Sequence, residues 1–173
     1  AWRVRAELVD ELRAKMVEVG SGYVPTADDV REVLSTRSDS PFLISVFDGE
    51  SRILGANVTF LAETGYRESD LRAQPSTSFV RAGERDGQIA AQARLVSGEV
   101  DFHDTHGHRT LADGSEIFVA AHRAAVRAPD ATLGGLVSVA RVVLPFRDPV
   151  DDRESPDRAT TPSRHHREQV SVG

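Results

Sequence analysis

Residues 42–66, FLISVFDGESRILGANVTFLAETGY, constrain the fold of this chain more than any other stretch. Phe42, Leu43, Ile44, Val46 and Phe47 form an apolar run broken only by Ser45. A run this short, rich in β-branched and aromatic residues, reads as a strand apolar on both faces, and so as a central one. Asp48-Gly49 is a hairpin signal, with the glycine expected to supply the positive φ of the turn. Ile53-Leu54 reads as the return strand. Asn57 stands where it can cap a short helix by accepting a hydrogen bond from a free backbone N–H. Phe60, Leu61 and Thr64 share one face of that helix, and Gly65 is expected to end it in the left-handed conformation.

Upstream, residues 3–19 read as an amphipathic helix. Val4, Leu8, Leu12 and Met16 recur every fourth residue with Val9 beside them, opposite a charged face. Such a helix serves dimerisation or packs on its own domain, and both readings stand. Thr26 is placed to cap a second helix with Asp28 and Asp29 in its first turn and Val30, Val33 and Leu34 on its apolar face. Downstream, residues 84–97 read as a longer helix. Its apolar face is Ile89, Ala93 and Val96, and Gly98 ends it. Three strands follow, at 100–111, 115–126 and 136–144, joined by a hairpin at Ala112-Asp113-Gly114 and by a loop over 128–133. With the first pair they make an α+β fold, a five-stranded antiparallel sheet with short helices on one face. The middle one of these three strands points Val119, Ala121 and Ala125 one way and Phe118, Ala120, His122, Ala124 and Val126 the other. Neither set is polar, so the outer face calls for a cover. The N-terminal helix or a second subunit would serve.

The order strand, Asp48-Gly49, strand, Asn57-capped helix, Gly65-Tyr66 resembles the first half of a PAS domain. Arg67-Glu68-Ser69-Asp70-Leu71, Gly98-Glu99 before a long strand, Asp113-Gly114-Ser115 in a hairpin and Gly135 at a last strand extend the resemblance over roughly residues 41–143. It implies a bacterial sensory or interaction module in signal transduction or transcription regulation, with a cavity between sheet and helices. The ligand-binding residues it implies are Phe60, Leu61, Tyr66, Phe79, Ile89, Phe102, Val119 and Val139. The light-sensing branch of the family needs a cysteine for its flavin adduct. Residues 74–80 hold no thiol, and the whole chain has no cysteine, so that chemistry is excluded. The haem-sensing branch places its axial histidine on the long helix, and residues 84–97 hold none. The cofactor and ligand stay unnamed. The Asp-Ile-Thr-like motif that often closes a PAS domain is replaced here by Val142-Val143-Leu144 and Pro145.

Length and charge narrow the partners. The 173 residues divide into an N-terminal helical extension (1–40), the PAS-like domain (41–144) and a tail (145–173). The tail holds four of the eight prolines and almost no apolar residues, and reads as disordered. A net charge of −6 disfavours direct nucleic-acid contact. No apolar run approaches the roughly 18 residues of a membrane span, and no signal peptide is visible, so a cytoplasmic location is expected. Of 21 Lys and Arg residues only Lys15 is lysine, a bias of GC-rich bacterial genomes. No nucleophile elbow or phosphate loop occurs, and no catalysis is expected. A rival reading, a small metal-binding protein or enzyme, rests on His103, His106 and His108 with His122 on the next strand. In an extended strand 106 and 108 share a face and 103 does not. The expected assembly is a homodimer through Val4, Leu8, Leu12, Met16, Phe118 and His122, with a signalling or transcription-regulator partner and a small-molecule ligand, and without a membrane.

Overall fold

The computed structural model describes residues 2–19, 27–128 and 130–143. Strand β1 (Leu43–Phe47) is buried at every residue, as a strand apolar on both faces must be. It lies between β2 (Ile53–Ala56) and β5 (Leu133–Val143), and the sheet continues through β4 (Glu116–Arg127) to β3 (Phe102–Thr110). Every neighbouring pair is antiparallel. The tail expected at 145–173 lies outside the described residues, as does Thr26.

Each face of the sheet carries its own apolar core. On the inner face, α3 (Val58–Thr64), α4 (Glu68–Leu71) and α5 (Arg85–Ser97) close over the strands. Leu71 and Leu95 pack there with Phe47, Ile53, Ala125 and Leu136, and Phe60 and Leu61 border them. On the outer face lie α1 (Trp2–Val19) and α2 (Ala27–Ser35). Leu8, Val9, Leu12, Val30, Val33 and Leu34 form one cluster with Ile44, Val46, Ala124, Val126, Val137 and Val139. Of the two covers the sequence allowed, the chain's own helices are the one observed. Leu8 and Leu12, expected at a dimer interface, are thereby corrected to residues buried within the chain. The N-terminal segment is part of the core, because a sheet apolar on both faces needs both covered.

Local signals explain how the helices are placed. Asn57 caps α3 by accepting from the Phe60 N–H at 3.0 Å; the same oxygen accepts from Ile44 N–H, and the amide nitrogen donates to the Phe42 carbonyl. One side chain thus pins the start of α3 to β1. Gly65 ends the helix at φ 74°, its N–H donating to the Leu61 carbonyl at 2.9 Å. Gly65→Val should destabilise the protein by at least ~1 kcal/mol, because a β-branched residue resists positive φ. A urea midpoint unchanged from wild type would show that the cap carries no such constraint.

The first hairpin corrects one expectation. The positive φ falls on Ser51, at 65°, and not on Gly49. The Asp48 carboxylate accepts from the N–H groups of Glu50 and Arg52, and Asp48 N–H donates to the Arg52 carbonyl. That aspartate-centred loop moves the left-handed residue two places along.

Candidate functional site

Helix α5 faces the sheet differently from its apolar periodicity. Gln88, Gln92 and Leu95 are buried, while Ile89 is 50 % exposed and Ala93 is exposed. The sheet surface beneath is polar at this point, so glutamines are the residues that suit it. Gln88 Nε2 donates to Thr105 Oγ1 at 2.6 Å. Gln92 Oε1 accepts from Ser76 Oγ at 2.8 Å and from Arg123 Nη1 at 3.0 Å.

Beside this polar cluster lies a cavity of about 50 Å³, between the inner sheet face and α3 with the short helical turn Ser76–Phe79. It is larger than the roughly 10–15 Å³ a single water needs. Phe60, Tyr66, Phe79 and Val119 line it, as expected. Tyr66 donates its hydroxyl to the Thr110 carbonyl at 2.9 Å and meets the Phe79 ring edge-on at 4.9 Å. Burial, followed by the charge of Asp113, raises the Tyr66 pKa and keeps it a donor.

The other expected ligand-binding residues lie elsewhere. Leu61 packs in the inner core without lining the cavity. Ile89 borders an open groove beside Ser51 and Pro75. Phe102 is 55 % exposed on the outer face, because it shares a strand side with Asp104, the partner of His122 across the sheet. Val139 pairs with His122 and packs in the outer core.

Two cations that the sequence reading overlooked line the cavity instead. Arg123 is 6 % exposed, its guanidinium carbon 5.1 Å from the Phe47 ring centroid. Burial, then the charge of Arg109, lowers its pKa to about 9. Arg109 Nη1 donates to the His108 carbonyl at 3.0 Å, and burial lowers its pKa too. Arg123 Nε and Arg109 Nη2 are buried without a hydrogen-bond partner. Among the described residues no carboxylate lies within ion-pair distance of either. Glu84 is engaged with His108, accepting from its backbone N–H at 2.7 Å and meeting its Nδ1 at 2.6 Å. Burial pushes the Glu84 carboxyl up, but these bonds outweigh it and the net shift is downward. The available signal was an arginine on the inward side of an apolar strand.

The four histidines of β3 and β4 divide between the two faces. His103 turns inward; burial first, then the nearby Arg123 charge, lowers its pKa to about 4. An unfolded histidine, with a pKa near ~6.5, takes up its proton first as pH falls, so folding stability declines between about pH 6.5 and 4. His103→Gln should flatten that decline in urea titrations; an unchanged pH slope would remove His103 as its source. His106, His108 and His122 share the outer side, where the Phe118 ring lies beside His106 and His108, and His122 Nδ1 meets Asp104 at 2.9 Å. Among the described residues no three His, Asp or Glu side chains are arranged to hold a metal. Of the expected interface, Leu8 and Leu12 are buried in the outer core, Phe118 is half-buried and His122 is buried. The side chains of Val4 and Met16 lie outside the described residues.

The family model described as PAS fold matches residues 38–148. The PAS domain of a protein from Colwellia psychrerythraea superposes with TM-score 0.59 at 13% identity, covering 66% of this chain and 96% of that one. A PAS domain of an HTR-like protein from Haloarcula marismortui gives 0.50 at 23% identity, with 67% and 93% covered. A domain of a sensory box sensor histidine kinase/response regulator from Geobacter sulfurreducens gives 0.53 at 17% identity, with 66% and 95% covered. At these identities the likeness is one of fold. No curated protein matches the chain.

Proposed function

The chain belongs to the PAS-fold family, and on that premise we propose that it is a non-catalytic sensory domain that reads occupancy of the cavity between its sheet and α3. The cavity, with its apolar walls, the buried Arg123 and the partly buried Arg109, is the observation that carries this reading. The strands offer a route for the signal. Ser138 and Ala140 of β5 line the cavity, while Val137 and Val139, which alternate with them along the strand, pack in the core that holds α1. A ligand that shifts β5 therefore shifts the seat of α1. The description of the Geobacter sulfurreducens neighbour as part of a sensor histidine kinase/response regulator supports a signalling role. We place the domain in bacterial signal transduction or transcription regulation and in the cytoplasm. The near-absence of lysine supports a bacterial source, and among the described residues no helix is long and apolar enough to cross a membrane.

Native mass spectrometry of the purified chain should show a small-molecule mass excess that vanishes on denaturation. A panel of small compounds should contain some that raise the melting temperature. Ala121→Val, which adds bulk at the cavity wall, should reduce both signals. No mass excess together with no stabilising compound would reject the reading.

Homodimerisation belongs to the same proposal, through the outer-face strip that includes Phe102 and Phe118. Sedimentation of wild type and Phe102→Asp checks it, with a dimer expected only for wild type. A wild type that sediments as a monomer removes the dimer and leaves the sensory cavity standing.

A further inference from the structure

We propose that the cavity takes a short-chain organic carboxylate, held by the guanidinium groups of Arg109 and Arg123. The inference rests on the sensory reading of the cavity and adds the ligand's chemical class. Both arginines line the cavity, and each leaves one buried nitrogen without a hydrogen-bond partner, Nη2 of Arg109 and Nε of Arg123. A buried cation without a counter-charge is costly, and two of like sign near each other compound that cost. One nitrogen of each is engaged with a neutral acceptor, Arg109 Nη1 with the His108 carbonyl and Arg123 Nη1 with Gln92 Oε1. The acid nearest in role, Glu84, is committed to His108. The site thus carries positive charge and unused donors; burial lowers the Arg109 pKa and Glu84 is close enough to raise it in part, but Glu84 forms no ion pair with either arginine.

Carboxylates fit this need. Guanidinium groups bind them by short charge-assisted hydrogen bonds, and the planar fork of arginine matches the carboxylate plane. The remaining wall selects among anions. Phe60, Ile117, Val119 and Ala121 face the same space, so an alkyl end gains from burial where an inorganic oxyanion would not. Size limits the chain. An apolar cavity of about 150 Å³ accommodates benzene, so one of about 50 Å³ suits a carboxylate with roughly two or three carbons.

The test uses the full chain, extensively dialysed, with thermal unfolding and calorimetric titration as readouts. Sodium propionate is the probe, with propionamide as its neutral counterpart and inorganic phosphate and sodium chloride at matched ionic strength as anion controls. Propionate should raise the melting temperature saturably, and the other three should not. Arg123→Met should fold, melt at or above the unliganded wild type because a lone buried charge is gone, and bind propionate at least about tenfold more weakly. Arg109→Met should weaken binding similarly, and it carries the test if circular dichroism shows Arg123→Met unfolded. Propionamide binding as tightly as propionate overturns the carboxylate class while leaving the sensory cavity intact. Phosphate binding as tightly as propionate overturns the organic class. Undiminished binding in the folded arginine variants overturns the assignment of these residues. No binding of any probe, with no hit in the wider panel, overturns both this inference and the sensory reading beneath it.

Discussion

Leu12→Asp should unfold the protein instead of merely separating subunits. Leu12 is 1 % exposed and sits in the outer core with Val9, Val30, Ile44, Val46, Val137 and Val139. Removing a buried leucine side chain costs about 2–5 kcal/mol in transfer and cavity terms. The aspartate adds the cost of a carboxylate placed among apolar side chains. The sum approaches the whole stability of an ordinary domain, about 5–15 kcal/mol. Leu12→Ala should lower the urea midpoint and remain folded, while Leu12→Asp should lose its native circular dichroism. A folded Leu12→Asp with the wild-type midpoint and a smaller sedimentation coefficient would contradict this. It would mean that the helix covers a second copy of the sheet in solution.

The parts of the fold that were legible in the sequence depend on local chemistry. The doubly apolar β1, the Asn57 cap and the left-handed glycines Gly65, Gly98 and Gly114 each act within a few residues. A reader can find them without knowing the packing. The covered outer face was also legible, because Ala124 and Val126 on one side of β4 and Ala121 and Ala125 on the other cannot both face water.

What was misread depends on register. Phe102 was assigned to the cavity although the hairpin pairs its neighbour Asp104 with His122, which had been placed outward. Following that pairing across the turn at Gly114 would have put Phe102 outside. Val139 was harder. Its pairing with His122 depends on the β4–β5 connection and on a register shift at Val126/Arg127 that composition does not reveal. The face of α5 was misread for a different reason. Apolar periodicity assumes an apolar bed, and here Thr105, Arg123 and Ser76 reward glutamine. The same assumption hid Arg109 and Arg123, since charged residues are rarely buried unless paired. Arg123 breaks that rule and, with the partly buried Arg109, gives the cavity its chemistry.

Gly135→Ala should be the most damaging single-methyl change in the sheet. A β-carbon there would lie 2.4 Å from the Phe47 carbonyl oxygen, closer than real β-carbons approach anything. The obstacle is backbone, so no side-chain rotation relieves it. Gly135 is paired with Val126 of β4, and the next residue, Leu136, is paired with Phe47 of β1. Because β5 lies between β1 and β4, any displacement strains hydrogen bonds on both sides. The expected loss is about 3 kcal/mol or more, above the range of most single substitutions. Gly134→Ala is the control. Its added carbon would meet the Val126 carbonyl oxygen at 3.4 Å, an ordinary contact. Equal urea midpoints for the two variants would show that the strand end yields at no cost. If instead Gly135→Ala folds with a large loss, propionate stabilisation should fall with it. The same strand carries Ser138 and Ala140 into the cavity wall, and a shift that relieves Phe47 moves them as well.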